Sequence, residues 1–280
     1  MTATEIAEAP QPPGADGTGT GHARERKPMS KRRKHFWLRV VAYGALLGAW
    51  QVTAMIKGPF FLPTIPEVFA AMPKLFEQGY ITTLGISIQQ LVIGFTLSLV
   101  IAIPLGALMG ASKTIDAALT PFVNALYVTS KESLLPLLII IFGAQLGYLV
   151  AVVVFFAVFF PIMNTAAGVR YVEGSLSEMA NAFCTSRWRM YTRIYLPAAA
   201  PFVVAGVRLG LGMAIKGMVI AELWISIGTG HLLRQFGALR ELDLYFALAI
   251  LVIAVALLAD KALYLVETRL MHGTTKAGGL

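Results

Sequence analysis

The sequence predicts an all-α membrane protein with six transmembrane helices and both termini on the cytoplasmic side. Three observations predict it. Hydrophobic residues make up 57% of the 280 residues and charged residues only 14%, with a mean hydropathy of +0.70, whereas a water-soluble domain carries about a quarter charged residues. Apolar runs recur at the length of a bilayer crossing, about 20 residues. Along a six-span path, Arg24, Arg26, Lys27, Lys31 to Lys34, Lys113, Arg170, Arg187, Arg189, Arg193, Arg269 and Lys276 fall on one side, against Lys57, Lys74, Arg234 and Arg240 on the other. Basic residues are retained on the cytoplasmic face, so the first side is inside. The net charge of +8 is then a matter of topology and lipid contact. A nucleic-acid groove would interleave basic with aromatic residues.

Residues 1–35 are rich in Ala, Pro, Gly, Thr and charge, a composition that buries no core and is expected to be a disordered basic cytoplasmic tail. The KRRK cluster ends it, and the apolar run from Phe36 to Ile56 is a full span, not the short apolar stretch of a cleaved signal peptide. Between Lys57 and Gly85 the chain lies outside. Thr64 with Pro66 and Glu67 signals a helix start, and Val68, Phe69, Met72, Leu75 and Phe76 recur at helical spacing, which predicts a short interfacial helix bent or broken by Pro73. The second span covers about 86–109, with a kink expected at Pro104.

The string GALMGASKT from Gly106 to Thr114 is not a phosphate-binding loop. Ser112 stands where G-x-x-x-x-G-K-[ST] needs glycine, and the string closes an apolar helix with no preceding strand. Lys113 and Asp116 mark a short cytoplasmic turn instead. Residues 117–163 are long enough for two spans, separated by the GAQLG turn at Gly143 to Gly147; a single span from Leu134 would exceed the bilayer thickness even when tilted. Lys131 and Glu132 fall in the inner half of the first. The fifth span runs over 201–225, where Gly206, Gly210, Gly212 and Gly217 offer a surface for close helix packing. An outer loop follows over 226–243, then the sixth span over 244–266. The transmembrane domain is thus 36–270, and 271–280 is a cytoplasmic tail.

Between the fourth and fifth spans lies the extended polar stretch RYVEGSLSEMANAFCTSRWRMYTRIYLPAAAP, residues 170–201. Ser175 and Glu178 have capping-box spacing, which predicts a short helix beginning near Leu176, with small residues Ala180 and Ala182 on a side able to approach another surface closely. A second helical piece is expected from Ser186, ended by Leu196-Pro197. Cys184, the one cysteine, forms no internal disulfide and suits a reducing compartment as a small packing residue. His22, His35, His231 and His272 are scattered without ligand spacing, so no metal site is expected.

This loop resembles that of permease subunits of ATP-binding-cassette importers, whose pattern E-A-A, three residues, G, nine residues, I-x-L-P forms the coupling helix that docks on the ATPase. Here Glu178, Met179 and Ala180 are followed by Cys184 at the glycine place and by Ile194, Leu196 and Pro197 at the matching distance. Met179 for alanine and Cys184 for glycine are the departures. The stretches FLPTIPEVFAAM, PLGALMGAS, LLPLLIIIFG, FFPIMNTAAGVR and AELW are similar to the nitrate, sulfonate and taurine branch of that family, over roughly 60–270. Lys131 and Glu132 stand where relatives carry a proline-rich apolar run.

The resemblance implies a permease in the bacterial inner membrane with a coupling loop over about 170–197. It also implies a second copy of itself, an ABC ATPase that binds ATP and Mg, and an extracytoplasmic solute-binding protein, with no cofactor in this chain. The resemblance favours a small anion such as nitrate, a sulfonate or a carboxylate, and relatives in the same branch also carry neutral or cationic vitamin precursors. A membrane enzyme would need convergent nucleophile, acid or metal groups at one face, and none is visible. An ion-coupled carrier or channel is the alternative, with Lys131, Glu132, Lys216 and Glu222 as relay groups. Intramembrane charge marks a functional site by default, which makes Lys216 and Lys131 the candidates for an anion pathway. Two other readings stand beside it. Lys216 snorkels outward or pairs with Glu222, and Lys131 pairs with another chain's Glu132. Asn164 is a further pathway candidate, or caps or bridges helices.

Overall fold

The computed structural model describes residues 31–182 and 198–275, and every element among them is helical. The order is α1 (Lys31–Lys57), α2 (Ile65–Glu77), α3 (Ile81–Ala111), α4 (Lys113–Val128), a 3-10 turn (Lys131–Leu134), α5 (Leu135–Phe142), α6 (Leu146–Ala157), α7 (Phe159–Ala182), α8 (Ala200–Trp224), α9 (Thr229–Leu239) and α10 (Leu242–Thr275). Five stretches are long and apolar enough to cross a membrane: Phe36–Lys57, Ile81–Ala111, Leu146–Val172, Ala200–Trp224 and Leu242–Leu265. They match the first, second, fourth, fifth and sixth expected spans. Gly143, with φ +70°, makes the turn ahead of the fourth.

The expected third span differs. Lys113–Val128 and Lys131–Phe142 meet at 94°, so the run is a bent pair and not one straight crossing. The residues at the break explain the bend. Thr129 and Ser130 have extended backbones, and the Thr129 hydroxyl donates to the carbonyl of Ala125 at 2.7 Å, a local bond of the kind that competes with helix continuation. Pro136 then sits in the first turn of α5, where its missing N–H costs nothing.

The described residues divide into two units between Ala49 and Trp50. In the first, Phe36, Leu38, Val41 and Leu46 of α1 are exposed, as suits a helix in hydrocarbon. In the second, the indole of Trp50 donates to the Pro63 carbonyl at 2.9 Å and the Gln51 side chain accepts from Ile65 N at 3.0 Å, which sets the entry to α2. Thr64 N donates to Glu67 Oε2 at 2.8 Å, one half of a capping box. The helix continues through Pro73 without a break. Its buried face is Val68, Ala71 and Leu75, packed on Leu232 and Phe236 of α9 and on Leu244, Ala247 and Leu248 of α10. Phe69 and Phe76 point away and are more than half exposed, so the protein-facing stripe is narrower than the run of apolar residues suggests.

The core of the second unit is α3, α6, α7 and α8, with α3 and α8 each lying along α6 and α7. Glycines permit that closeness. A Cβ on Gly106 would sit 2.6 Å from the Ile162 carbonyl oxygen and 2.8 Å from Thr165 Cβ, and one on Gly217 would sit 2.7 Å from Phe156 Cβ. Gly212, expected on the same surface, has nothing within 4 Å; it lies on the other side of α8. Gly106→Ala must push α3 and α7 apart, since the obstacle is backbone, and is expected to destabilise the protein by about 1–3 kcal/mol. Gly212→Ala is expected to be neutral or slightly stabilising. Thermal melts of the two variants in detergent check the contrast, and equal melting temperatures would contradict it.

The polar stretch after the fourth span also differs from expectation. No helix starts near Leu176; α7 runs unbroken from Phe159 to Ala182. A capping box needs a chain break ahead of it, and Arg170 to Gly174 contain no proline to supply one. Serine and glutamate are tolerated inside helices. Glu178, Met179 and Ala180 therefore ride on the same helix as the core residues Ile162, Ala166 and Val169. Cys184, Ile194, Leu196, Pro197 and the expected second piece from Ser186 lie outside the described residues.

Candidate translocation site

The break between α4 and the 3-10 turn forms an elbow whose Thr129, Ser130, Glu132 and Ser133 are all exposed. Between them Lys131 turns inward and is only 8% exposed. Its ammonium lies over three aromatic faces, at 5.3 Å from the ring centre of Tyr127 in α4, 5.9 Å from Phe156 in α6 and 5.3 Å from Phe159 in α7. Such contacts each contribute about 0.5–2 kcal/mol when desolvated, which offsets part of the cost of removing the cation from water. Glu132 and Lys216 are the charged groups that act on it electrostatically.

These groups lie at membrane depth. Phe156 is ten residues past Leu146, roughly 15 Å along a helix rising about 1.5 Å per residue, in a span that continues to Val172. Gly217 of α8 packs on Phe156, so its neighbour Lys216, which is exposed, sits at the same level. The ion pairs among the described residues are Lys74–Asp243, Arg170–Asp116 and Arg208–Asp260; none involves Lys131, Lys216 or Glu132. Among the described residues Glu132 accepts from Ser130 Oγ, at 3.2 Å. An apolar groove of about 550 Å³, walled by Leu105, Phe122, Leu126, Phe142 and Val154, runs beside the elbow and offers nothing polar to a solute.

Glu222 has a different setting. It is fully buried, and its carboxylate accepts from Gly230 N at 2.7 Å, from Thr229 Oγ1 at 3.0 Å and from Gln90 Nε2. Ser87 completes the cluster through Thr229, accepting from its N–H at 3.0 Å. The carboxylate therefore serves the first turn of α9, where backbone N–H groups lack helical partners and the helix dipole favours negative charge. Gly228, at φ +87°, is required there, because a Cβ would collide with that carboxylate. Glu222 latches α3, α8 and the start of α9 together. It neither meets Lys216 nor opens onto the elbow.

Asn164 is half-buried and its amide donates to the Phe160 carbonyl of the same helix at 2.9 Å, while its Cβ lies against Gly206 of α8. Toward the other end of α7, Arg170 pairs with Asp116 at the start of α4, and Thr120 Oγ1 donates to the second oxygen of Asp116 at 2.9 Å. Arg208 of α8 grips Asp260 of α10 with two bonds of 3.0 Å each. Sequence reading missed Tyr127, Phe156 and Phe159 around Lys131, and Ser87, Gln90 and Thr229 around Glu222. Gln90 in an otherwise apolar run carried a signal, since a polar side chain at membrane depth needs a partner. Its partner lies 132 residues away, which no local pattern reveals.

Comparison with known proteins agrees with the fold. The chain is 29% identical over 246 residues to a protein of Bacillus subtilis named as an aliphatic sulfonates transport permease, covering 86% of this chain and 89% of the relative. It is 26% identical over 264 residues to the taurine transport system permease protein of Escherichia coli, covering 90% and 96%. It is also 26% identical over 218 residues to the nitrate import permease protein of Synechococcus elongatus, covering 70% and 78%. These relatives leave the carrier or channel alternative without support. The family of binding-protein-dependent transport system inner membrane components matches residues 98–272, well over half of the sequence, and the chain belongs to it: a multi-pass inner-membrane permease subunit of an ABC importer, whose ATP is hydrolysed by a partner subunit.

Proposed function

We propose that this permease conducts a small anionic solute, of the nitrate, sulfonate or carboxylate kind, along a pathway faced by Glu132 and Lys216, with the Lys131 cation held beneath its surface. Relatives named for sulfonate, taurine and nitrate transport support the solute class. The observation that carries the pathway is the elbow. Irregular polar backbone at membrane depth is tolerated only where protein buries it or water reaches it, and Thr129 to Ser133 are exposed there apart from Lys131. In this reading the bent pair is the third of six spans, and both termini and the coupling loop are cytoplasmic, as the basic residues indicate.

Two copies enclose the pathway, and a binding protein delivers the solute from outside. Two ATPase subunits, holding ATP and Mg, dock on the coupling segments at Glu178, Met179, Ala180, Cys184, Ile194, Leu196 and Pro197. Their closure is transmitted through the rigid spans as alternating access. The basic N-terminal segment contacts anionic lipid. Glu222 and Asn164 keep supporting roles in this scheme, since the Glu222 carboxylate is taken up by the latch and the Asn164 amide by the Phe160 carbonyl of its own helix.

Replacing Lys216 by Met keeps length and removes charge. Uptake by the assembled transporter at limiting solute is expected to fall about tenfold or more, the effect of one lost charge interaction of about 1.4 kcal/mol. A Lys216→Cys variant is expected to be protected from water-soluble thiol reagents by added solute. Unchanged uptake together with unchanged protection would overturn the assignment.

A further inference from the structure

We propose that Lys131 is a mobile cation, whose ammonium alternates between its aromatic socket and the pathway, where it meets the anionic solute. The inference rests on the pathway reading above and deepens it by naming the residue that responds to the solute's charge. The backbone that carries this side chain lies at the surface, since Thr129, Ser130, Glu132 and Ser133 are all exposed, and only the Lys131 side chain turns in, to 8% exposure. A lysine stem is long and flexible, so rotation about its own bonds moves the charge from the rings to the exposed side of the elbow. The frame around it need not move. Leu135, four residues on, is fully buried in a cluster with Tyr148, Leu149 and Phe156, and Phe159 packs with Ile162 and Ala166 in the core.

The socket attracts the cation without satisfying it. The faces of Tyr127, Phe156 and Phe159 draw in a desolvated ammonium, but its three N–H groups need strong acceptors, and among the described residues no ion pair involves it. A buried charge is held firmly only when it is both paired and hydrogen-bonded. A permanent plug for this space would be an uncharged side chain, which has no hydration to lose. The exposed side of the elbow offers what the socket lacks: water, the neighbouring Glu132 carboxylate and the solute anion. Glu132 attracts the ammonium and Lys216 repels it even in the socket. Ring attraction on one side and hydration with charge pairing on the other oppose each other, and an anion that interacts with only one of the two positions shifts the balance toward it.

The test labels lysine amines in the purified permease with its ATPase, by reductive methylation with formaldehyde and a water-soluble borane, and reads each lysine by mass spectrometry. Exposed Lys216 is the internal reference. Without nucleotide, Lys131 is expected to react about tenfold more slowly than Lys216, and trapping with ATP and orthovanadate is expected to speed it about fivefold or more as the populations shift. Tyr127→Leu and Phe159→Leu, each still co-purifying with the ATPase, are expected to speed Lys131 about threefold or more without nucleotide, the effect of one lost ring contact. In the Tyr127→Leu complex, at least one of nitrate, methanesulfonate and acetate is expected to slow Lys131 about threefold relative to chloride at equal ionic strength, since a bound anion shields the released ammonium. A Lys131 equally slow with and without trapping overturns the alternation, unchanged rates in both ring variants overturn the socket, and protection by none of the three anions overturns the solute contact. The Lys216→Met uptake measurement is independent of these. Uptake lost there beside a fixed Lys131 here overturns the mobile cation and leaves the pathway standing, whereas unchanged uptake and protection there remove the pathway on which it rests.

Discussion

Replacement of Glu222 by alanine is expected to remove most of the folded protein from the membrane. The substitution leaves Gly230 N–H, the Thr229 hydroxyl and the Gln90 amide buried without their acceptor. Each orphaned buried group costs about 1–3 kcal/mol, so the loss is on the order of 3 kcal/mol or more, against a total stability of about 5–15 kcal/mol for a typical domain. Glu222→Gln is expected to fare far better. The introduced carbonyl oxygen can accept from Gly230 and Thr229, and the introduced amide can donate to a reoriented Gln90 Oε1, which is buried and without a partner among the described residues. Membrane levels and melting temperature measured for both variants check this. Equal loss in the two would show that the charge, and not the hydrogen-bond latch, is what matters.

Glu178→Arg is expected to leave the protein in the membrane at its normal level and to abolish transport and association with the ATPase. Glu178 lies near the end of α7, whose earlier turns pack in the core beside α3 and α8. The substitution therefore falls at the end of an anchored helix. Under the proposed docking, reversed charge at the interface costs several kcal/mol, enough to weaken association by about 100-fold or more. Co-purification of the ATPase with the variant and uptake in membranes are the measurements. Persistent transport would refute the docking assignment.

The two charged groups that sequence reading treated alike, Lys131 and Glu222, turn out to have opposite settings. Both are intramembrane ionisable residues, so both qualify as pathway candidates by the same rule. What separates them is which distant elements surround them. Glu222 meets Ser87 and Gln90 of α3 through the start of α9 and is spent on structure, whereas Lys131 sits at an exposed polar elbow among rings from three helices.

The sequence by itself determined that the chain lies in a membrane and roughly where the first, second, fourth, fifth and sixth expected spans run, the fourth extending about nine residues further than expected. These follow from hydrophobicity and length, properties that each segment carries alone. It also carried the coupling pattern in linear spacing. Tertiary structure decided the rest: that the run expected as a third span is bent at Thr129 and Ser130, that α7 continues past Ser175, that Gly212 faces away from the contact made by Gly217, and which polar side chains are latched. Those outcomes depend on neighbours far away in sequence. In a helix bundle the side-chain environment is set by the packing of whole faces, and periodicity names a face without naming what will cover it.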